Sequence, residues 1–268
     1  TPLERMPRLS NELSGPNLWV KRDDCTGLAT GGNKTRKLEY LLADAINKGA
    51  DCIVTYGAIQ SNHARQTAAA CAKIGLECHL ILSKRVDWNY SSYLRNGNAL
   101  LNKIFGAQTY TLELDEFEAR RSEILADLAD KNKKVYEIPP GGSNEIGAVG
   151  YAKCFSELNN QAKLHNISID QIVHASASSA TQAGLVFGAN CLRSKTQIMG
   201  INVFHPDPAT LTNRVKNLVE KMRQQYPESA GQTEAEVHIN HAYFGKAYGQ
   251  PSQACLEAIA MAAELEGL

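Results

Sequence analysis

Short apolar runs alternate with longer amphipathic stretches along the whole of this chain, and this alternation limits the folds open to it. Strands are predicted over 18–21, 52–55, 78–82, 108–112, 135–138, 171–175, 197–203 and 237–240. Helices are predicted over 33–48, 62–74, 91–104, 115–131, 145–163, 181–192, 209–225 and 252–266. Alternation of this kind predicts an α/β fold, in which helices cover both faces of a parallel sheet.

The bulk properties of the chain exclude several classes of partner. Its 268 residues suffice for one large domain or two modest ones. Lysine plus arginine and aspartate plus glutamate both number 28, so the formal net charge is zero and no nucleic-acid partner is expected. No apolar run approaches the ~18 residues of a membrane helix, and the first ten residues lack the apolar core of a signal peptide. A small molecule in a local cleft is the expected partner.

The cysteines indicate the redox compartment. There are seven, at positions 25, 52, 71, 78, 154, 191 and 255. Because the number is odd and no Cys-x-x-Cys pair is present, neither a disulfide framework nor a metal site is expected. The pattern is typical of reduced thiols in a cytoplasmic protein.

The first of three loops with chemical potential contains Gly31, Gly32, Asn33 and Lys34. The two glycines permit a tight turn, and Asn33 can cap the helix that follows. Lys34 then lies in the first helical turn, where the helix dipole lowers the pKa of its amine. A neutral amine can form a Schiff base with an aldehyde. The alternative is a solvated basic patch at a helix start, and the spacing alone leaves both open.

The second loop places Gln60, Ser61, Asn62 and His63 directly after a predicted strand, where they open a helix. The free N–H groups of a helix start can bind a carboxylate. Ser61 and His63 are also candidates for proton transfer, and a nearby carboxylate is expected to raise the pKa of His63 toward neutrality. Ordinary capping by Ser61 or Asn62, with His63 at the surface, is the alternative.

The third loop, residues 176–184, follows the predicted strand 171–175 and is rich in small and hydroxyl-bearing residues. Such residues at a helix start can hold a phosphate, although a tight turn needed for close packing would have the same composition. No Gly-x-Gly-x-x-Gly motif occurs, so a dinucleotide site is not expected. An amine, an anion clamp and a phosphate cradle together suit pyridoxal phosphate (PLP) bound to an amino acid.

Longer motifs follow one another in a fixed order along the chain, at 1–3, 21–24, 31–38, 57–66, 140–144, 181–184 and 248–251. In this order they resemble the PLP enzymes of the tryptophan-synthase β-type fold (fold type II). Within that fold they resemble the group containing aminocyclopropanecarboxylate (ACC) deaminase, D-cysteine desulfhydrase and L-cysteate sulfo-lyase. The resemblance implies two open, mostly parallel twisted sheets with flanking helices. It implies a larger PLP-binding domain (1–37 with 149–268) and a smaller domain (38–148), and a homodimer is expected.

The resemblance also implies a role for each candidate residue. Lys34 would carry the cofactor, Asn62 would contact its ring hydroxyl, and Tyr248 would face the substrate. The substrate carboxylate would lie among Gln60, Ser61, Asn62 and His63. The cofactor phosphate would be held by Ser178, Ser179, Ala180 and Thr181, with Asn33 and Lys37. The residues expected to act in catalysis are Lys34, Ser61, His63 and Tyr248.

The reaction that the resemblance implies is a β-elimination from a small amino acid, giving pyruvate and ammonia. Freed Lys34 is the expected base, with Ser61 or His63 for the opposite stereochemistry. His63 and the run 24–28 favour release of a sulfur group over opening of a cyclopropane ring. Sulfite from L-cysteate is favoured over sulfide from D-cysteine, and ACC deaminase is a further alternative.

A second hypothesis is a catalytically silent binding relative, and two departures from the family motivate it. Loop 176–184 is poorer in glycine than its counterpart in relatives. Relatives also continue past the position of Leu268 with a segment that supplies the partner of the pyridine nitrogen and another tyrosine.

Overall fold

The computed structural model describes residues 1–229 and 236–268, and within those ranges three sheets are packed among ten α-helices. The first sheet is an antiparallel pair, β1 (Leu3–Arg5) and β2 (Trp19–Lys21), joined through α1 (Pro7–Glu12). The sequence predicts β2 but neither β1 nor α1. Elements of three and six residues are too short to show a hydrophobic period.

A four-stranded parallel sheet is built from the middle of the chain. Its strands are β3 (Cys52–Ala58), β4 (Glu77–Ser83), β5 (Gln108–Leu112) and β6 (Val135–Ile138), in the spatial order β5-β4-β3-β6. The helices around it are α2 (Lys34–Asn47), α3 (Asn62–Ile74), α4 (Ser91–Arg95), α5 (Gly97–Ile104) and α6 (Phe117–Asp130). The single helix predicted over 91–104 is wrong, because the backbone is extended at Asn96 (φ −119°, ψ −176°), whose side chain caps α5.

The third sheet has three parallel strands, β7 (Gln171–Ser176), β8 (Gln197–Asn202) and β9 (His238–Asn240), in that spatial order. Its helices are α7 (Glu145–Leu164), α8 (Ala180–Cys191), α9 (Pro208–Gln225) and α10 (Gln253–Glu266). Two open parallel sheets with flanking helices confirm the predicted α/β architecture.

The two parallel sheets have separate hydrophobic cores. One core packs α2 and α3 on the four-stranded sheet and includes Leu38 and Ile53, and the other packs α7, α8 and α9 and includes Phe155 and Val215. The division into a larger domain (1–37 with 149–268) and a smaller one (38–148) stays a prediction. Its first boundary falls inside α2, which packs on both α3 and α7.

Other expectations from the sequence bear on surface and environment. All seven cysteines are free thiols, of which Cys25 and Cys255 are exposed. Residues 1–229 and 236–268 contain no group of three or more His, Cys, Asp or Glu side chains that could hold a metal ion. None of the helices in these ranges combines the length and the apolar character needed to cross a membrane. The homodimer and the cytoplasmic location stay predictions.

Candidate active site

A cavity of about 1260 Å³ lies where the loops after β3, β4, β6, β7 and β8 meet. This is the edge at which open α/β sheets bind their ligands. Seven of the predicted site residues line it: Lys34, Ser61, Asn62, His63, Ser178, Ser179 and Tyr248. The other five, Asn33, Lys37, Gln60, Ala180 and Thr181, lie outside the lining.

The Lys34 amine is the chemically distinctive group of the cavity. Lys34 is the first residue of α2, and its Nζ donates a hydrogen bond to Asn33 Oδ1 at 2.9 Å. Burial of the amine, together with the positive charge of Arg65, lowers the pKa of Lys34 to about 8. The predicted direction of the shift is therefore confirmed, and its causes are burial and a neighbouring cation.

The predicted capping of α2 by Asn33 is wrong. Asn33 has helical backbone angles (φ −64°, ψ −16°) and makes no capping bond. Its Oδ1 instead accepts hydrogen bonds from the Lys34 amine and from Asn62 Nδ2 (3.1 Å). Asn33 therefore links Lys34 to the start of α3.

Gln66, from α3, caps α2 instead. Its Oε1 accepts hydrogen bonds from the backbone N–H groups of Lys34 and Thr35, both at 3.0 Å. Its Nε2 donates to the Asn62 carbonyl at 3.0 Å. A Cβ on Gly32, where φ is +130°, would lie 2.6 Å from Gln66 Nε2, so the glycine is required for this contact. Gln66 thereby fixes the position of Lys34 relative to α3.

The start of α3 forms the second wall of the cavity. Ser61 is the N-cap, and its Oγ accepts a hydrogen bond from the Ala64 N–H at 3.2 Å. The N–H groups of Asn62 and His63, as the first two of the helix, have no partner in the described part of the chain. Two free donors at a helix start suit a carboxylate.

His63 is buried, with a residual exposure of 2%, so the alternative of a surface histidine is wrong. Its Nε2 lies 2.8 Å from Thr55 Oγ1, and Thr55 Oγ1 donates to the Ile138 carbonyl at 2.8 Å. Burial, with the positive charges of Lys34 and Lys37, lowers the pKa of His63 well below its ordinary value. In the protein itself, burial and these charges favour the neutral imidazole of His63, and the rise expected from a bound carboxylate stays a prediction.

The Gln60 side chain does not reach the cavity. Its amide nitrogen donates to the Asn96 carbonyl at 2.9 Å, and its oxygen accepts from the Asn98 N–H at 3.0 Å. These bonds attach the end of β3 to the start of α5. The predicted contact between this side chain and the substrate carboxylate is wrong.

The third loop forms a pocket lined by hydroxyls and backbone N–H groups. Ser178 and Ser143 are hydrogen-bonded through their Oγ atoms at 2.8 Å. Ser179 has a φ of +85°, and α8 begins at Ala180. The next N–H, that of Thr181, has no partner among the described residues. The backbone therefore turns sharply at Ser179, in a conformation that usually favours glycine.

Lys37 lies behind this loop. Its amine is fully buried and donates to the Gly141 carbonyl at 3.1 Å, and no carboxylate pairs with it within residues 1–229 and 236–268. A Cβ on Gly141, where φ is +69°, would lie 2.2 Å from Ser178 Oγ, so the glycine lets the two loops approach. A buried amine without a counter-ion, beside hydroxyls and free N–H groups, suits a phosphate.

Tyr248 completes the cavity from the other side. Its ring lies edge-on to that of Phe204, with centroids 5.2 Å apart, and the residue is 36% exposed. Tyr248 lines the cavity, and its contact with the substrate stays a prediction.

Thr55 and Gln66 shape the site but were not among the predicted site residues. The available signal for Gln66 was its position at i+4 from Asn62, on the buried face of an alanine-rich helix. A buried polar side chain of this length requires a partner. Thr55 lies inside a strand of otherwise apolar pattern and carried no comparable signal.

The whole chain, residues 1–268, matches the family model described as pyridoxal-phosphate dependent enzyme. The D-cysteine desulfhydrase of Serratia proteamaculans (strain 568) is 40% identical over 270 residues, which cover 100% of this chain and 80% of that protein. The D-cysteine desulfhydrase of Yersinia pestis (strain Pestoides F) is 39% identical over 271 residues, with the same coverage.

Solved structures agree with the sequence matches. The crystal structure of an ACC deaminase homologue superposes with a TM-score of 0.88 at 34% identity, covering 100% of this chain and 78% of that one. O-ureido-L-serine synthase superposes with a TM-score of 0.65 at 15% identity, covering 100% and 78%, a level that bears on the fold alone. These likenesses confirm the predicted fold type.

Proposed function

The chain belongs to the family of pyridoxal-phosphate-dependent enzymes, and we propose that within it the chain is a lyase that releases sulfide from D-cysteine. The balanced reaction converts D-cysteine and water to pyruvate, ammonia and hydrogen sulfide. Relatives 39–40% identical over the whole chain are D-cysteine desulfhydrases, which supports this choice. They favour sulfide release over the sulfite release from L-cysteate that the sequence alone favours.

The observation that carries the proposal is the Lys34 amine at the cavity. With a pKa of about 8, roughly a tenth of this amine is neutral at pH 7, far more than for an ordinary lysine. Only the neutral form reacts with an aldehyde, and only the neutral form can accept a proton. Lys34 therefore suits both attachment of the cofactor and, once it is displaced by the substrate amine, removal of the α-proton.

The surrounding residues fit pyridoxal phosphate. The buried Lys37 amine, the Ser178 hydroxyl and the N–H groups at the start of α8 would hold its phosphate. The Asn62 amide, which Asn33 orients through a hydrogen bond at 3.1 Å, would meet its ring hydroxyl. When bound, the cofactor withdraws electrons from the substrate's α-carbon and makes the α-hydrogen acidic.

The chain's own groups then orient the amino acid. The free N–H groups of Asn62 and His63, at the positive end of the α3 dipole, bind its carboxylate. The Ser61 Oγ accepts from Ala64, so its own hydrogen stays available for the same anion. Lys34 Nζ would then be the base for the α-hydrogen, and Ser61 is the candidate base for the opposite stereochemistry. The C–S bond electrons leave with sulfur, and Tyr248 closes this side of the cavity.

A second candidate, L-cysteate sulfo-lyase, is supported by Arg85. This residue lines the cavity at the end of β4. Its Nε donates to Ser83 Oγ at 3.1 Å, and its guanidinium pairs with no carboxylate in the described ranges. An unpaired guanidinium suits a sulfonate.

The experiment that tests the proposal offers D-cysteine, L-cysteine, L-cysteate and ACC to the purified holoenzyme. We expect pyruvate and sulfide from D-cysteine. Pyruvate with sulfite from L-cysteate would establish the second candidate instead, and 2-oxobutyrate from ACC would establish a deaminase.

A matched pair of variants tests the role of Lys34. Lys34→Ala is expected to abolish turnover and the visible absorbance of lysine-linked cofactor. Lys48→Ala, at an exposed position just after α2, is expected to change neither. A lysine-linked absorbance band in Lys34→Ala would contradict the assignment. A wild-type protein that is colourless after pyridoxal phosphate has been added and the unbound excess removed would favour the catalytically silent relative.

A further inference from the structure

The Thr55 hydroxyl determines which nitrogen of His63 carries the proton. Thr55 is fully buried and lies opposite Ile138 in the β3–β6 ladder. The Ile138 carbonyl, 2.8 Å from Thr55 Oγ1, can only accept a hydrogen bond. The single hydroxyl hydrogen of Thr55 is therefore committed to Ile138.

Because Thr55 has no second hydrogen, its oxygen must act as the acceptor in the 2.8 Å contact with His63 Nε2. The His63 proton therefore lies on Nε2. The nearby cations Lys34 and Lys37, together with burial, oppose a second proton on the ring. His63 Nδ1 is then a lone-pair acceptor.

This acceptor is unsatisfied. His63 Nδ1 is buried and has no hydrogen-bond partner among the residues that the structure describes, yet His63 lines the cavity. A buried polar atom without a partner costs free energy, and a ligand that supplies the missing partner regains it. The missing partner must be a hydrogen-bond donor.

We propose that His63 Nδ1 accepts a hydrogen bond from the substrate's thiol and thereby selects a sulfur group that carries a proton. This inference rests on the proposed function. A cysteine thiol, with an ordinary pKa of about 8.5, is mostly protonated at neutral pH, whereas its carboxylate and a sulfonate offer only acceptor oxygens. A sulfonate at this position would face the Nδ1 lone pair and be rejected, so His63 opposes cysteate even though Arg85 would attract it.

The proton position can be read directly from nuclear magnetic resonance of the wild-type enzyme labelled with ¹⁵N-histidine, as apoenzyme and as holoenzyme. We expect His63 to show a protonated Nε2 and an unprotonated Nδ1 with and without pyridoxal phosphate. A protonated Nδ1 would overturn the inference. So would an Nδ1 signal that acquires a hydrogen-bond partner on addition of the cofactor alone, since the donor would then be the cofactor.

The selectivity can be tested with two substrates of which only one has a leaving group that carries a hydrogen. Chlorine is close in size to a thiol group but carries no proton, so 3-chloro-D-alanine offers a leaving group without a donor. Thr55→Val frees His63 from its fixed tautomer. We expect it to lower kcat/KM about tenfold for D-cysteine and to leave kcat/KM for 3-chloro-D-alanine nearly unchanged, with pyruvate as the common product.

Thr55→Ser retains the hydroxyl and is expected to restore the wild-type ratio of the two kcat/KM values. An equal loss for both substrates in Thr55→Val, or an unchanged ratio, would overturn the inference while leaving sulfide release intact. If wild-type enzyme gave no sulfide from D-cysteine, the proposed function would fail, and the magnetic resonance result would still report the tautomer. Because that measurement uses wild-type protein, poor folding of Thr55→Val would not leave the inference untested.

Discussion

At the scale of single residues, the reactivity of Lys34 depends on how easily its amine loses a proton. Burial, and secondarily Arg65, lower its pKa to about 8. Because a base with a lowered pKa is neutral above that value, the reactive fraction grows as pH rises through the pKa. We therefore expect the rate at which the apoenzyme takes up pyridoxal phosphate to rise with pH around a midpoint near 8. The rate can be measured from the visible absorbance of the bound cofactor.

The contribution of Arg65 to this midpoint can be separated from its structural role. Arg65 Nη1 donates to the Gly31 carbonyl at 2.6 Å, so its removal also loosens the loop before Lys34. Arg65→Met should move the midpoint upward, because a positive neighbour is lost. Arg65→Lys retains the charge and should leave the midpoint in place; the same shift in both variants would show that the loop, and not the charge, sets it.

Lys37 is expected to bind the cofactor's phosphate and not to react with its aldehyde. Its amine is buried at Gly141, behind the Ser178 loop and outside the cavity lining. Lys37→Ala should weaken binding of pyridoxal phosphate by about 10- to 150-fold, which is the loss of one hydrogen bond to a charged group. The lysine-linked absorbance should return at saturating cofactor, as a titration would show. Its permanent loss would place the covalent bond at Lys37.

At the scale of elements, the start of α2 is held by a side chain from α3. Gln66→Ala removes the acceptor for the N–H groups of Lys34 and Thr35. The free energy of unfolding should fall by about 2 kcal/mol in chemical denaturation, from the lost cap and the unsatisfied donors. Binding of pyridoxal phosphate should weaken as well, because Lys34 is no longer fixed against α3.

Gln66→Glu is the matched control for the cap. The carboxylate keeps an acceptor for both N–H groups and adds a favourable charge at a helix start. Most of the lost stability should therefore return. If Gln66→Glu were as destabilised as Gln66→Ala, the bond from Gln66 Nε2 to the Asn62 carbonyl would be the important one.

The elements and loops of this protein differ in how far the sequence predicts them. The three site loops were predictable because each carries its signal in consecutive residues, as in 60–63 and 176–184. The contacts of Gln66 and Thr55 were not, because their partners lie 31 and 83 positions away. Gln60 shows the reverse error: its place in a polar cluster predicted a ligand contact, but the nearby α5 provided partners for its side chain first.

At the scale of the whole molecule, α2 connects the two parts that form the cavity. It packs on α3 beside the four-stranded sheet and on α7 of the other part. Arg36 of α2 donates to Glu157 of α7 at 2.9 Å and to Asp23 at 2.9 Å, and Lys21 of β2 donates to Glu157 as well. This ion cluster joins three elements and holds the helix that carries Lys34.

Glu157 makes the stability of this junction dependent on pH. Burial alone would raise the pKa of the Glu157 carboxyl. Hydrogen bonds from Arg36 and Lys21 outweigh this effect and hold the pKa well below its ordinary value of 4.5. A carboxyl with a depressed folded-state pKa contributes its stability above the unfolded value and loses it as pH falls below that value. Glu157→Gln should therefore lower the free energy of unfolding by about 2 kcal/mol at neutral pH.

The difference in the free energy of unfolding between wild type and Glu157→Gln should become smaller when the pH of the denaturation experiment is lowered below about 4.5. Glu12→Gln removes an equal charge from an exposed position of α1. Its free energy of unfolding should equal that of the wild type at both neutral and acid pH. A difference between wild type and Glu157→Gln that persists unchanged in acid would mean that Glu157 stabilises the junction by packing and not by its charge. The cluster would then align α2 through packing alone. In that case Glu157→Gln would take up pyridoxal phosphate less well than the wild type at acid pH, just as it does at neutral pH.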